Sequence, residues 1–380
     1  MRTIRGADVD APASELGRAE RPHRSRAGRV VVNGSPLWPP VTGVQRVARG
    51  LTRQLLAEAE PGAVEVLGGP GDLGGPARVG ARTRLGRTLW EQTALPLSAG
   101  AARAIVNLGN LAPLASARNL VLTYDLHALR LRRHYRRGLG SLYWALAERA
   151  YRGARYRVTL TRTIAEDLEA TLGGHVDAVV PPGVDDSFRP ATASRVESVS
   201  RRLGIHGPYL VVVGWTQPAK RAPLAVAAHR RQARDLPHQL VLAGATRADF
   251  PEVELGPRPP SLLVTGRLSD DDLAALYTGS AGLLFCTEYE GFGLPPVEAL
   301  ACGTRVAVSR IPVLEEVLGG LPGVRFVEEP DEEAWADAAG QLLQEASSAD
   351  AASAANRSEA ARSRFRWSGK GRALLQVLDA

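Results

Sequence analysis

Residues 288–309 read Glu288-Tyr289-Glu290-Gly291-Phe292-Gly293-Leu294-Pro295-Pro296-Val297-Glu298-Ala299-Leu300-Ala301-Cys302-Gly303-Thr304-Arg305-Val306-Ala307-Val308-Ser309. The apolar run 281–286 leads in as a strand, and Gly291 and Gly293 let the backbone approach a ligand closely. Pro295 and Pro296 supply the fixed φ of a first helical turn. Gly303 ends that short helix, and residues 304–309 form the next strand, which makes a βαβ unit. A helix start behind a glycine loop gathers unpaired N–H groups and a positive dipole end, suited to a phosphate. Glu290 and Glu298 have seven residues between them, one in the loop and one in the first turn. Two carboxylates beside a phosphate-seeking loop suit a phosphate with hydroxyl-rich groups on both sides, such as a ribose and a sugar.

Outward from this unit, short apolar strands alternate with helical patterns, the α/β signature. One strand series is expected at residues 29–33, 63–67, 104–108, 120–124, 157–161 and 178–180. A helix starts near Thr42-Gly43-Val44. Pro181-Pro182-Gly183, with Phe188 and Pro190, breaks the pattern. A second series follows at 209–214, 239–243, 261–265, 281–286, 304–309 and 324–327. This predicts two doubly wound domains, 28–190 and 191–364, after a disordered Arg-, Ala-, Glu- and Pro-rich tail at 1–27. A closing segment at 365–380 contains Phe365-Arg366-Trp367.

The chain has 380 residues, 44% of them hydrophobic, enough for two cores. No run approaches the ~20 apolar residues of a membrane span, and no hydrophobic signal core opens the chain. Cys286 and Cys302 are the two cysteines, so a disulfide framework is not expected and a cytoplasmic setting fits. No His/Cys cluster has metal-ligand spacing, and no metal or cofactor is predicted. The net charge of +7 is unevenly spread: residues 1–190 hold 27 Arg against 17 acidic residues, and residues 28–190 alone carry +8. Lys220 and Lys370 are the two lysines. The Arg, Ala and Gly bias looks like a high-GC coding sequence, and without aromatic interleaving nucleic acid is not an expected partner.

The string Glu290-Gly291-Phe292-Gly293-Leu294-Pro295, followed by Glu298-Ala299 and Gly303-Thr304, closely resembles the E-x7-E signature of the retaining glycosyltransferases of family 4. The resemblance spans about residues 29–380. It implies a GT-B fold, with two Rossmann-like domains facing a cleft, the first for an acceptor and the second for a nucleotide-diphosphate sugar. It also implies metal-independent hexosyl transfer with retention, and a closing helix that crosses back to the first domain. On the matching positions, Glu290 contacts sugar hydroxyls and Glu298 the ribose, with Gly291, Phe292, Gly293 and Leu294 in the donor loop. Gly214 and Lys220 match a diphosphate-binding segment, but Trp215 stands where an arginine is usual, and Arg221 is the nearby charge. Arg267 matches a nucleobase loop through its main chain, and Gly43 a glycine loop near the diphosphate.

The segment Tyr124-Asp125-Leu126-His127 matches a strand end that normally carries His-Asp. Tyr124 replaces the histidine, and His127 follows three residues later. Lys220, Glu290, Asp125 and Tyr124 are therefore the expected catalytic group. Arg130, Arg132, Arg133, Arg136 and Arg137 lie among Leu129, Leu131 and Tyr135, a basic stretch that suits an anionic or lipid-linked acceptor, or peripheral contact with a membrane. A solvated helix face explains it equally. Two further readings are a GT-B nucleotide-sugar epimerase and a donor-binding protein without transferase activity, the latter favoured by Trp215 and Tyr124.

Overall fold

In the computed structural model, the structure describes residues 28–39, 42–73, 84–134, 139–244, 252–328, 330–348 and 350–380. The tail expected at 1–27 lies outside the described residues. Among the described residues, twelve strands form two all-parallel six-stranded sheets. The first sheet holds β1 (Val30–Asn33), β2 (Val64–Leu67), β3 (Ala104–Asn107), β4 (Asn119–Thr123), β5 (Tyr156–Thr159) and β6 (Ala178–Val179), ordered β2-β1-β3-β4-β5-β6. The second holds β7 (Tyr209–Val213), β8 (Gln239–Ala243), β9 (Leu262–Gly266), β10 (Gly282–Phe285), β11 (Val306–Ser309) and β12 (Val324–Val327), ordered β12-β11-β10-β7-β8-β9. Each expected strand segment overlaps one of these strands, with ends that differ by no more than two residues.

The central strands β1, β3, β4, β10 and β11 are buried along their whole length. They read as continuous apolar runs because helices cover both faces of a parallel sheet. Both sheets reverse direction internally. In the first, the chain winds outward from β1 to β2 and returns to place β3 on the other side of β1. In the second it winds from β7 through β8 to β9, then returns to place β10 beside β7. A crevice opens beyond the carboxyl ends of the strands at such a reversal, and ligands of open α/β sheets bind there.

The C-terminal segment ties the domains together. The Ala351–Arg364 helix packs on the Leu294–Ala301 helix of the second domain, and the Lys370–Asp379 helix packs on the Gly43–Glu58 helix of the first. Between them Trp367 wedges against Gly50 and Gly183, where an added Cβ would come within 2.2 and 2.5 Å of its ring. Its indole N–H donates to Asp185 Oδ1 at 2.8 Å. One apolar cluster runs from Val30 and Leu51 through Phe188 and Tyr277 to Phe292 and Leu374, so the two sheets share a continuous core.

Candidate active site

The loops after β7 and β10 meet at the reversal of the second sheet. The first carries Gly214, whose φ of +73° is open to glycine, and then the turn Pro218–Lys220. The second carries Thr287, Glu288, Tyr289 and Glu290. Lys220 Nζ donates to Glu290 Oε1, and Thr287 Oγ1 donates to the same oxygen at 3.0 Å. The ammonium lies 4.2 Å from the centre of the Phe285 ring. Lys220 and Glu290 are thus a nearly buried pair at the bottom of the crevice, with side chains 11% and 14% exposed.

The first domain presents the loop after β4 to this pair. Asp125 Oδ1 accepts the main-chain N–H of His127 at 2.9 Å. Burial raises the Asp125 carboxyl above the ordinary range, opposed by that N–H and by the charge of Lys220. His127 opens the His127–Arg130 helix, with its ring 6.1 Å from Tyr289 and 6.2 Å from His134. Burial pushes its imidazole down to about 4; Glu290 pulls upward, while His134 and Lys220 push down. It is therefore a neutral imidazole at ordinary pH, close enough to Glu290 and Lys220 to feel both charges. Tyr289 accepts the Leu126 N–H at its hydroxyl, 2.8 Å away, which pins the two loops together.

Tyr124 corrects one expectation. Its side chain is buried and its hydroxyl is placed 3.1 Å from the carbonyl oxygens of both Val44 and Leu108, a core position rather than a group working on the sugar. What this residue brings to the cleft is its carbonyl. An added Cβ on Gly291 would come within 2.2 Å of the Tyr124 oxygen, so this glycine admits the backbone of the other domain, not only a ligand. Gly293, at φ +89°, caps the Leu294–Ala301 helix. Leu294 faces Gly43, whose added Cβ would touch it at 3.5 Å. The buried Phe292 ring stacks edge-on to Phe365, with centroids 5.8 Å apart.

Glu298, 5% exposed, lies on the far side of the glycine loop from Glu290. Burial pushes its carboxyl up to about 7, against the lowering charge of Arg46. Arg46, on the first-domain Gly43–Glu58 helix, brings Nε within 3.3 Å of Glu298 Oε1. It also donates to both oxygens of Asp270 at 2.8 and 2.7 Å and to Asp185 at 3.1 Å. Burial lowers the Arg46 pKa, but the Asp270 hydrogen bond and the charges of Glu298, Asp270 and Asp185 outweigh it, so the guanidinium stays protonated.

The remaining expected residues are distributed around this core. Arg221 sits at φ +45°, in the left-handed region, and donates to Glu288 at 3.0 Å rather than pointing along the Lys220 side chain. Glu288 also accepts from Arg133 at 3.0 Å and lies 3.2 Å from His134, which bridges the domains. Trp215 is buried in the apolar cluster behind β7 and β8, and its indole N–H has no partner. Arg267 is exposed just after β9, and the next turn begins the Asp270–Gly279 helix with Ser269 Oγ accepting from Asp272 N at 3.2 Å. In the basic stretch, Arg130 pairs with Asp167 and Arg133 with Glu288; Arg136 and Arg137 lie outside the described residues, as does the side chain of Arg132. Among the described residues no group of three or more His, Cys, Asp or Glu is arranged to hold a metal ion. In those residues no helix is long and apolar enough to cross a membrane.

Sequence reading gave no role to Arg46, because nothing local distinguishes an arginine one turn into a helix. Glu91 was missed too: it is buried near β1 and its carboxyl is raised by burial, against hydrogen bonds from Asn33, Ser35 and Gln92. The signal available was the polar Asn33 and Asn107 at the ends of otherwise apolar strands, bonded to each other at 3.0 Å.

Residues 207–345 match the family model described as glycosyl transferases group 1. The serotype-specific mannosyltransferase WbdA of Escherichia coli is 29% identical over 136 residues, covering 34% of this chain and 17% of that protein. The D-inositol 3-phosphate glycosyltransferase of Xylanimonas cellulosilytica is 33% identical over 236 residues, covering 58% of this chain and 55% of that protein. The chain thus spans well under two thirds of the length of either relative. Among solved structures, sucrose-phosphate synthase from Thermosynechococcus elongatus superposes with a TM-score of 0.68 at 17% identity, covering 92% of this chain and 98% of that one. Anabaena Alr3699/HepE in complex with UDP-glucose gives 0.69 at 14% identity, covering 93% and 99%. These likenesses show the GT-B fold, two Rossmann-like domains about a cleft.

Proposed function

Taking residues 207–345 as a glycosyl transferase group 1 domain, we propose that the chain is a retaining, metal-independent glycosyltransferase that moves a hexosyl group from a nucleotide-diphosphate sugar to an acceptor hydroxyl. The observation that carries this reading is the Lys220–Glu290 pair at the sheet reversal, faced across the cleft by Asp125 and His127. Glu290 receives the donor's sugar hydroxyls and Glu298 its ribose. Lys220 sits where the diphosphate leaves, so its ammonium offsets the negative charge that builds as the bond from sugar to phosphate breaks. The new bond forms to the acceptor oxygen, and the acceptor proton ends on the departing phosphate. Neutral His127 and Asp125 orient the sugar, so the protein's contribution is position and charge in a closed cleft. UDP named in a neighbour's complex fits this reading for the donor class; the first domain's charge of +8 over residues 28–190 favours an anionic acceptor, free or presented on a lipid at a membrane surface.

A thermal-shift panel of UDP, GDP, dTDP and ADP, followed by their sugars, tests the donor half. Binding to the native state alone stabilises it by about 2.7 kcal/mol at 100 times Kd. NMR of the first-formed product tests the rest. The donor's anomeric configuration should be kept in the presence of EDTA; inversion or strict metal dependence overturns the mechanism.

A further inference from the structure

Glu298 belongs to the second domain, yet the cation that compensates it comes from the first. The charged and titratable groups around its carboxylate are Arg46, Asp270 and Asp185, with Tyr277 and Cys302 close by. Arg46 is the cation of that set. Its guanidinium is fixed from several directions: Asp270 takes both terminal nitrogens, Asp185 shares one, and the Phe188 ring centre lies 4.9 Å away. The remaining Nε faces Glu298 Oε1. A guanidinium held this firmly is a poor ligand for an incoming substrate and a good template for the carboxylate beside it.

We propose that Arg46 is a positioning residue for donor recognition: held by Asp270, Asp185 and Phe188, it fixes the Glu298 carboxylate from the other domain so that it accepts the ribose hydroxyls, making the nucleotide site a joint product of both domains. This rests on the ribose role given to Glu298 above. Burial holds that carboxyl up at about 7 even against the lowering charge of Arg46, so losing Arg46 raises it further and leaves a largely protonated acid that accepts hydrogen bonds poorly. The first domain therefore acts on ribose selectivity through Arg46, which contacts Glu298.

The test measures binding of UDP, GDP and ADP, each against its 2′,3′-dideoxy counterpart, by calorimetry at pH 7 and pH 9. Wild type prefers the ribose form of the base it takes by about 10- to 100-fold, the worth of hydrogen bonds to a charged group. Arg46→Gln loses most of that preference at pH 7 and recovers part of it at pH 9, as more of the Glu298 carboxyl ionises. Glu298→Gln loses it at both. Arg46→Lys keeps a charge without the fork, so it retains a reduced preference that changes less between the two pH values than in Arg46→Gln; it decides the matter if Arg46→Gln does not fold. The proposal is overturned if Arg46→Gln keeps full ribose preference at pH 7, or if ribose and dideoxy forms weaken together at both pH values. A wild type that binds a diphosphate without preferring ribose overturns the role of Glu298, and this inference with it. A wild type that binds none of the diphosphates overturns the donor reading as a whole.

Discussion

Lys220 and Glu290, seventy residues apart in the chain, share one short contact on which the loops after β7 and β10 converge. Thr287 donates to the same carboxylate oxygen, and Glu288 N donates to the Ala219 carbonyl at 2.9 Å, so the loops are laced on both sides of the pair. The pair places opposite charges side by side at the reversal of the second sheet.

That arrangement separates the two side chains kinetically. Lys220→Ala should lower both turnover and affinity for the bare nucleoside diphosphate, with turnover down about 100- to 1,000-fold as for loss of one charge-stabilising donor. Glu290→Ala should cut turnover while leaving diphosphate affinity within a few-fold, because the bare nucleotide does not reach it. Calorimetry on both variants checks this. Equal loss of diphosphate affinity in the two would remove Glu290 from the sugar end of the site.

Gly291 predicts a mechanical effect. An added Cβ would overlap the Tyr124 carbonyl at 2.2 Å, and that oxygen belongs to the backbone of the opposite domain. Gly291→Ala should therefore hold the cleft partly open, with each domain still folded. Small-angle scattering should show a larger radius of gyration, and turnover should fall while far-ultraviolet dichroism stays constant. An unchanged radius with normal turnover would show that the loop absorbs the methyl group.

The twelve strands were legible because each is a short apolar run between turn residues, and the parallel sheets followed from their alternation with helices. Glu290 and Glu298 were legible because a glycine loop fixes their spacing. Long-range pairing was not. The sequence does not show that Arg46 crosses to Glu298 and Asp270, or that Glu288 gathers Arg221, Arg133 and His134, since none of these partners is close in the chain. His127 was visible, but nothing local separates a surface histidine from one placed beside Lys220 and Glu290. Tyr124 was misread for a related reason: its position in a strand-end motif says nothing of which way its hydroxyl turns.

Acid should destabilise the second domain through a buried histidine pair. His229 Nδ1 lies 2.8 Å from His238 Nε2, while His229 Nε2 lies 2.9 Å from Ser261 Oγ and His238 Nδ1 donates to the Leu236 carbonyl at 2.7 Å. Burial, and then the neighbouring His238, push His229 down to about 4. An unfolded histidine titrates near the ordinary value of about 6.5, so between that pH and 4 the unfolded chain binds the proton and stability rises with pH. The contribution is complete above about 6.5, falls away towards 4, and amounts to a few kcal/mol. Urea midpoints at pH 7 and pH 4.5 should differ less in His229→Gln than in wild type. An identical acid limb in the two would show that carboxylates alone set it.

The basic stretch after β4 divides by the partners of its arginines, and so do its expected effects. Arg130 is paired with Asp167, and Arg133 reaches Glu288 across the cleft at 3.0 Å, so neither is fully available to an external anion. Arg133→Gln should weaken docking of the two domains and lower turnover, with little effect on surface binding. The other arginines of the stretch, Arg132, Arg136 and Arg137, are the ones we assign to an anionic acceptor at a leaflet, each basic side chain contributing ~1 kcal/mol near such a surface. Three of them hold a protein there only at low salt, because the Debye length shrinks from ~10 Å at 0.1 M to ~3 Å at 1 M. Co-sedimentation with vesicles of phosphatidylserine and phosphatidylcholine should therefore show binding at low salt that is lost on adding salt, absent on pure phosphatidylcholine, and abolished by changing Arg132, Arg136 and Arg137 to Gln. Arg133→Gln should sediment like wild type in the same assay. If wild type and the triple variant behave alike at every salt concentration, the membrane form of the acceptor is ruled out and a soluble anionic acceptor remains.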